Sequence, residues 1–259
     1  MEKYLSIINK RTFIALAITA LAVFLTVTFD FEYNFDLTMI SIAIIFPLVF
    51  TIRSAFKRRE KALEFLSRFR TGLITTDAGI QSNTKISTEE RNQVRSHILE
   101  VSRLLTVYLG PETLDFEAVR KEVGKITAFL DDRRNLFKIG PSLKIHGFLR
   151  DVYVGIENTG AIKEHRTPTS IRAYCLIFIY LYPVIYSPSL YYRMSSGIGE
   201  WDIWVLYFLC LFSTFILISL FNVQEQLENP FDQHGLDDIH LDEFQVKEDD
   251  LVRIDTKEI

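Results

Sequence analysis

The stretch that most constrains this chain runs from Leu37 to Arg70. Leu37–Ile52 is sixteen residues without a charge, and Arg53–Arg70 is dense in Lys and Arg. The charged half keeps apolar residues at Ala55, Phe56, Leu63, Phe65, Leu66 and Phe69, close to helical spacing. One long helix that begins in a bilayer and ends in cytosol accommodates both halves. The remaining segments read as a bundle packed around it.

Composition agrees with a protein that is partly membrane and partly aqueous. Of 259 residues, 48% are hydrophobic, above an ordinary soluble domain, and 24% are charged, too many for an all-membrane chain. The net charge of −4 gives no reason to expect nucleic acid. Cys175 and Cys210 both lie inside apolar runs and read as small buried hydrophobes, not as a disulfide. Four runs are candidate spans: about 13–29, 37–52, 171–192 and 201–221. The first, Phe13–Phe29, is seventeen residues without a charge, which covers about 25 Å as a helix against a hydrocarbon core of about 30 Å. It is too long for a typical signal-peptide core and lacks a small-residue cleavage site.

Loop charges set the expected orientation. Lys3, Lys10 and Arg11 precede the first span, Arg53, Lys57, Arg58, Arg59 and Lys61 follow the second, and Lys163, Arg166 and Arg172 precede the third or open it. The 30–36 loop has Asp30, Glu32 and Asp36 and no cation, and the 193–200 loop has only Arg193 as a cation. By the positive-inside rule, both termini and the long middle segment are cytoplasmic. The expected organisation is four transmembrane helices with a cytosolic helical bundle, an all-α membrane protein of the plasma or inner membrane. Residues 1–60 hold spans one and two, 61–165 form the cytosolic helical region, 166–221 hold spans three and four, and 222–259 form an acidic tail or belt.

The middle segment reads as helices. Gly79–Thr84 is a polar break, and Ser87 with Glu90 forms a capping box. Behind it Val94, Ile98, Val101, Leu104, Leu105 and Tyr108 make one stripe. Gly110-Pro111 ends that helix, and Leu114, Val119, Val123, Ile126 and Leu130 mark the next. Gly140-Pro141 repeats the signal ahead of Phe148, Leu149, Val152 and Ile156. After residue 222 the chain carries ten acids before Asp255 and Glu258 and shows no periodicity, so it reads as tail or belt and not as core.

Catalytic constellations are missing from the sequence. His97, His146, His165, His234 and His240 form no metalloenzyme spacing with Cys or Glu, and there is no phosphate-binding glycine loop or Gly-x-Ser-x-Gly. An enzyme is not expected, nor is a cofactor. Gly124, Gly140, Gly147 and Gly155 sit singly in or between helices. On the second span, Ile42/Phe46/Phe50, Ser41/Ile45/Val49 and Ile44/Leu48/Ile52 each recur at four-residue steps, and periodicity does not choose among them. Pro47 removes the hydrogen bond to the carbonyl of Ala43, which needs a new partner in a membrane: Ser41, Thr51 or pore water.

Three segments together resemble the bestrophin family in its shorter, prokaryotic-type form: Val49-Phe50 followed by Ser54-Ala55-Phe56-Lys57-Arg58; Arg166-Thr167-Pro168 with Ala173-Tyr174 and Pro183 behind; and Leu227-Glu228-Asn229-Pro230-Phe231-Asp232 with Asp237 and Asp238 following. The pattern departs from the family at Thr51, where an Arg is usual, at Arg59-Glu60, where a Trp pair is usual, and at Ser170, where a second Pro is usual. The chain looks like a divergent member.

The resemblance implies a homopentameric channel for small inorganic ions, in contact with membrane lipid. The second span would line a hydrophobic neck with Ile42, Phe46 and Phe50, and the cytosolic helices would enclose a vestibule with a second constriction. Eukaryotic relatives are calcium-activated anion channels, among them chloride channels, and some bacterial relatives prefer cations. In the calcium-activated relatives, acids after the Asn-Pro-Phe motif bind the ion; the matching residues here are Asp237 and Asp238. Gln-His-Gly-Leu interrupts the acids, and a solvated belt is the other reading of this segment. Asp30, Glu32 and Asp36 would ring the outer mouth and concentrate cations. A non-conducting membrane scaffold with a cytosolic helical domain is the competing class. The expected topology has a direct check: cysteines introduced at Asn34 and Ser195 should label from outside, and one at Asn83 only from inside, so outside labelling at Asn83 overturns the orientation.

Overall fold

The computed structural model describes residues 7–166, 168–194, 200–233, 235 and 237–251. Lys3, Thr167, Ser195, His234, Asp255 and Glu258 lie outside the described residues. Among the described residues there is no strand. Among them seven α-helices follow one another: α1 (Lys10–Thr28), α2 (Leu37–Gln81), α3 (Thr88–Leu109), α4 (Phe116–Asp132), α5 (Ile139–Glu164), α6 (Thr169–Met194) and α7 (Glu200–Leu227). Short 3-10 turns lie at Arg134–Leu136, Leu241–Glu243 and Glu248–Asp250. The chain divides into two compact units. The first comprises Met1–Lys57, Arg166–Glu228 and Gly235–Asp237; the second comprises Arg58–His165, Asn229–His234 and Asp238–Ile259. α2 contributes to both.

The first unit is built from α1, the start of α2, α6 and α7. Helices long and apolar enough to cross a membrane lie at Lys10–Thr28, Leu37–Gln81, within Ile139–Met194 and at Trp201–Leu227. α1 is started by Asn9, whose side chain accepts the backbone N–H groups of Arg11 and Thr12 at 2.9 and 3.3 Å, while the Thr12 hydroxyl accepts the N–H of Asn9. Its buried face is Thr12, Ala15, Thr19, Val23 and Thr26, all small or β-branched. Phe13, Ile14, Leu21 and Phe24 point outward instead. Thr19 donates to Thr214 at 3.0 Å, Thr26 and Ser187 pair at 3.1 Å, and Asn222 donates to Thr12 at 3.0 Å, tying α1 to α6 and α7.

The second unit has the opposite arrangement, with large aliphatics inside. Leu66, Phe69, Leu73 and Ile80 of α2 pack with Val94, Ile98 and Leu105 of α3, Val119, Val123 and Ile126 of α4, and Leu149, Val152 and Ile156 of α5. The capping box is present: Ser87 Oγ accepts the N–H of Glu90, and the Glu90 carboxylate accepts the N–H of Ser87. α2 does not break at Gly79 but continues to Gln81. Glycine there serves packing, because a Cβ at 79 would sit 2.7 Å from the Ile145 side chain. The last turn of α2 is held by Arg91, which donates to the Gln81 carbonyl at 2.7 Å, and by Arg95, which forks onto the buried Asp77 at 3.1 and 2.7 Å. α2 and α5 approach closely at three glycines, Gly72 and Gly79 of α2 and Gly155 of α5, each set against a residue of the other helix. A Cβ on Gly155 would lie 2.5 Å from Phe69 Cβ, and one on Gly72 would lie 2.9 Å from the Phe148 carbonyl oxygen.

The segment after residue 222 departs from the expectation of a tail without core. α7 itself runs to Leu227. Beyond it, Phe231, Ile239, Leu241, Val246 and Leu251 are buried in the hydrophobic core of the second unit. The N–H of Val246 donates to the buried Ser102 hydroxyl at 2.7 Å, and Arg70 pairs with Asp250 at 2.6 Å. Asp237, Asp242, Glu243, Glu248 and Asp249 are exposed on an irregular strap whose apolar side is packed, while Glu228 just ahead of it is buried. Such a strap has neither a 2.0 nor a 3.6 period, so a periodicity test does not detect it.

Two measurements test this packing. Gly155→Val should cost about 1–3 kcal/mol by overpacking. Gly124→Ala, mid-helix with nothing within 4 Å of the added carbon, should stabilise by about 0.4–1 kcal/mol; equal effects in chemical unfolding would contradict the close α2–α5 crossing. The second test concerns buried Glu122, which accepts from Lys125 at 2.6 Å and pairs with His97 at 2.6 Å. Burial pushes this carboxyl up, but the hydrogen bonds from Lys125 and His97 outweigh burial and hold it below its ordinary 4.5. A depressed carboxyl stabilises the fold above its unfolded pKa and loses that contribution as pH falls through the folded one. Melting temperature should therefore drop below about pH 4.5, and Glu122→Gln should flatten part of that drop.

Candidate pore site

The two faces of α2 within the first unit differ sharply. Ile44 and Leu48 are each 1% exposed and pack with Cys175, Ile179, Tyr182, Leu217 and Ile218. Ile42, Phe46 and Phe50 are 47%, 57% and 61% exposed, with the Phe46 and Phe50 rings 6.1 Å apart. Ile45 and Val49 are also exposed, while Ser41 and Ile52 are half-buried. Of the three faces that periodicity leaves equivalent, the Ile44/Leu48 face is taken by packing within the chain. The other two remain open on a single chain.

Pro47 lies inside α2 without ending it. The carbonyl of Ala43 that it orphans receives the hydroxyl of Tyr174 from α6 at 3.4 Å. This is neither of the two side-chain partners that the sequence suggests. Thr51 is buried and donates instead to the Leu48 carbonyl at 2.8 Å. Tyr174 was visible in the sequence only as part of a motif, because its role depends on which helix lies beside Pro47. Below it, Pro47, Phe50, Ser54, Pro168, Ser170 and Ile171 line an apolar groove of about 590 Å³.

The loop before α2 is tied down. Phe31, Tyr33 and Phe35 stack edge to face at 5.7 and 6.2 Å. Tyr33 donates its hydroxyl to the Ile185 carbonyl at 3.0 Å, and Ser189 donates to the Phe35 carbonyl at 3.0 Å. Asp30 adopts a left-handed backbone conformation, φ 50°, and its carboxylate accepts the Tyr191 hydroxyl at 2.9 Å. Asp36 accepts the N–H of Thr38 at 2.9 Å and so caps α2. The Thr38 hydroxyl and backbone N–H, then Arg193, hold its carboxyl below the usual range. Glu32 is exposed. A second groove, of about 390 Å³, is lined by Leu37, Thr38, Ser41, Ile42, Ile45, Phe46 and Arg193. Arg193 is therefore a neighbour of two of the proposed neck residues, which sequence separation conceals.

The Asn229-Pro230-Phe231 motif anchors the strap. Phe231 is fully buried, Ile239 N–H donates to the Pro230 carbonyl at 2.8 Å, and Asn229 donates to Asp232 at 3.1 Å. Asp237 belongs to the first unit and Asp238 to the second. Among the described residues, no three His, Cys, Asp or Glu side chains converge as metal ligands.

No protein-family model and no curated protein sequence matches the chain. Solved structures do match. A crystal structure of a single-substitution variant of a bacterial bestrophin homologue from Klebsiella pneumoniae superposes with a TM-score of 0.71 at 13% identity, covering 90% of this chain and 93% of that one. A second variant of that homologue gives a TM-score of 0.74 at 12% identity, covering 90% and 91%. The chain thus has the fold of that bacterial bestrophin homologue over nearly its whole length.

Proposed function

We propose that this protein is the subunit of a homopentameric ion channel that sits in the plasma or inner membrane with both termini in the cytoplasm. The observation that carries the reading is the open face of α2. Three large apolar residues, Ile42, Phe46 and Phe50, stand clear of the chain's own packing on the helix that the bestrophin resemblance assigns to the neck. Five copies around an axis would stack them as three apolar rings over eight residues of helix, about 12 Å. A hydrophobic constriction of that length can bar ions by dewetting, without a charged filter. Pro47 falls between two of the rings, where a small change of bend alters the radius at Phe50 most.

The second unit supports the same reading. Among its described residues only Ile139 and Leu143 are large hydrophobics that stand exposed, at 82% and 69%. They are one helical turn apart at the start of α5. On an otherwise polar surface such a pair marks a contact or a constriction. In the pentamer it becomes the candidate for the second narrow point.

The test is reconstitution of purified protein in planar bilayers. Changing Ile42, Phe46 and Phe50 together to Ala should enlarge the current while the assembly persists, since rings facing a pore lose little tight packing. Ile44→Ala with Leu48→Ala should instead damage folding, at roughly 2–5 kcal/mol for each buried side chain. If the first variant fails to assemble and the second conducts normally, the neck assignment is wrong by a large rotation of α2. An assembled wild-type protein that passes no current under any ion, pH or calcium condition is a scaffold and not a channel.

A further inference from the structure

We propose that Arg193 is the residue that sets ion preference at the outer entrance, favouring small inorganic anions against the acids of the 30–36 loop. The inference rests on the neck reading. Arg193 lines the same groove as Ile42 and Phe46. It lies in the last turn of α6, where the negative end of the helix dipole favours a cation. Its one hydrogen bond among the described residues is a long one to the Phe35 carbonyl, 3.4 Å; no carboxylate there lies within ion-pair distance, and Asp36, itself capped by Thr38, is the acid whose charge it feels. A guanidinium keeps its charge at any physiological pH and has five donors, so four remain for a passing anion. Apolar walls on the groove raise the reach of that charge.

The acids that sequence alone places at the mouth are not equivalent to it. Asp30 is engaged by the Tyr191 hydroxyl. Asp36 is engaged by the N–H of Thr38 at the start of α2, where the positive end of that helix offsets its charge. Only Glu32, exposed on the loop, has neither restraint. A simple count over the 30–36 and 193–200 loops gives four acids, Asp30, Glu32, Asp36 and Glu200, to one cation per chain, and predicts a cation-attracting mouth. Weighting each charge by its local compensation and by its position on the groove brings Arg193 to the fore.

The experiment measures the anion-to-cation permeability ratio of the full-length protein from reversal potentials in a low-salt KCl gradient. Arg193→Lys should stay near wild type. Arg193→Ala should lower the ratio by about threefold and Arg193→Glu by about tenfold. Both effects should shrink at 1 M salt, where the screening length is about 3 Å. Arg193→Cys adds a charge-restoration arm: an ethylammonium thiosulfonate applied from outside should raise the ratio again, and Cys175 and Cys210 are both buried and free, so background labelling is low. Conducting variants with an unchanged ratio overturn the role of Arg193 and leave the neck intact. No current from assembled wild type removes the neck reading and this inference together. If the Ala, Glu and Cys variants all fail to assemble while Lys assembles, Arg193 is a tether for the Phe35 carbonyl, and the proposal is overturned.

Discussion

The structure depends on the buried face of α2, which contributes to each unit in turn. Ile44, Leu48, Thr51, Ala55, Ala62, Leu66, Phe69, Leu73, Thr76 and Ile80 are buried, and Arg58, half-buried, fills the one gap in the series by donating to the Ile162 carbonyl at 2.6 Å. From Ile44 to Ile80 the steps are threes and fours that average 3.6, the period of a straight α-helix. One face of α2 can therefore be packed within each unit, with Ile44, Leu48, Thr51 and Ala55 buried in the first and Ala62, Leu66, Phe69, Leu73, Thr76 and Ile80 in the second. Everything else on α2 is then free to suit its surroundings: apolar on the open side through Phe50, then dense in Lys and Arg from Arg53. A helix of this length requires an unbroken backbone, and Pro47 is the place where it would fail. The Tyr174 hydroxyl meets the carbonyl that Pro47 orphans, so the helix continues.

Each unit is held together internally by different physics. In the second, Val, Leu and Ile fill the interior and water drives them there. In the first, the outward side of each helix is as apolar as the inward side, so no such drive separates the helices from lipid. What α1 offers instead is smallness and hydroxyls. Thr12, Thr19 and Thr26 recur at seven-residue steps, and each finds a side-chain oxygen or amide on a neighbour. Trp201 and Trp204 stand exposed near the start of α7, as aromatic residues do at a membrane–water boundary. Hydroxyls inside with phenylalanines outside reverse the rule for a domain in water, and this reversal supports the membrane reading independently of hydropathy.

Much of this was legible in the sequence because it is local. The Ser87–Glu90 capping box, the stop at Gly110 and the α3 and α4 stripes depend on residues within a turn or two of one another. What was not legible depends on which segments meet. Gly79 reads as a break until Ile145 is seen to need its missing side chain. Asp77 and Arg95, eighteen residues apart, give no pattern until α2 and α3 lie side by side. The acidic strap hides Phe231, Ile239, Leu241 and Val246 because no regular period connects them. At the candidate pore, sequence supplied the residues Ile42, Phe46 and Phe50 but not the choice among faces, since a helix with three apolar sides has no preferred azimuth until one side is packed.

Packing narrows that choice without completing it, and polar neighbours supply the next step. An exposed Phe on a span is equally content against lipid tails or against other copies of the same chain, so burial alone does not separate the two. Lipid-facing surface should be apolar throughout the membrane depth, because an unpaired polar group is expensive there. The outer surface of α7 fits that rule, with Phe208, Phe212 and Phe215 in succession. The open face of α2 does not. The groove beside Ile42 and Phe46 contains Thr38, Ser41 and Arg193, and the groove beside Phe50 contains Ser54 and Ser170. An apolar waist with hydroxyls and a cation at its ends suits a path that water and ions approach from both sides. Lipid gives no reason for that pattern, whereas the proposed ring of α2 helices around an axis would.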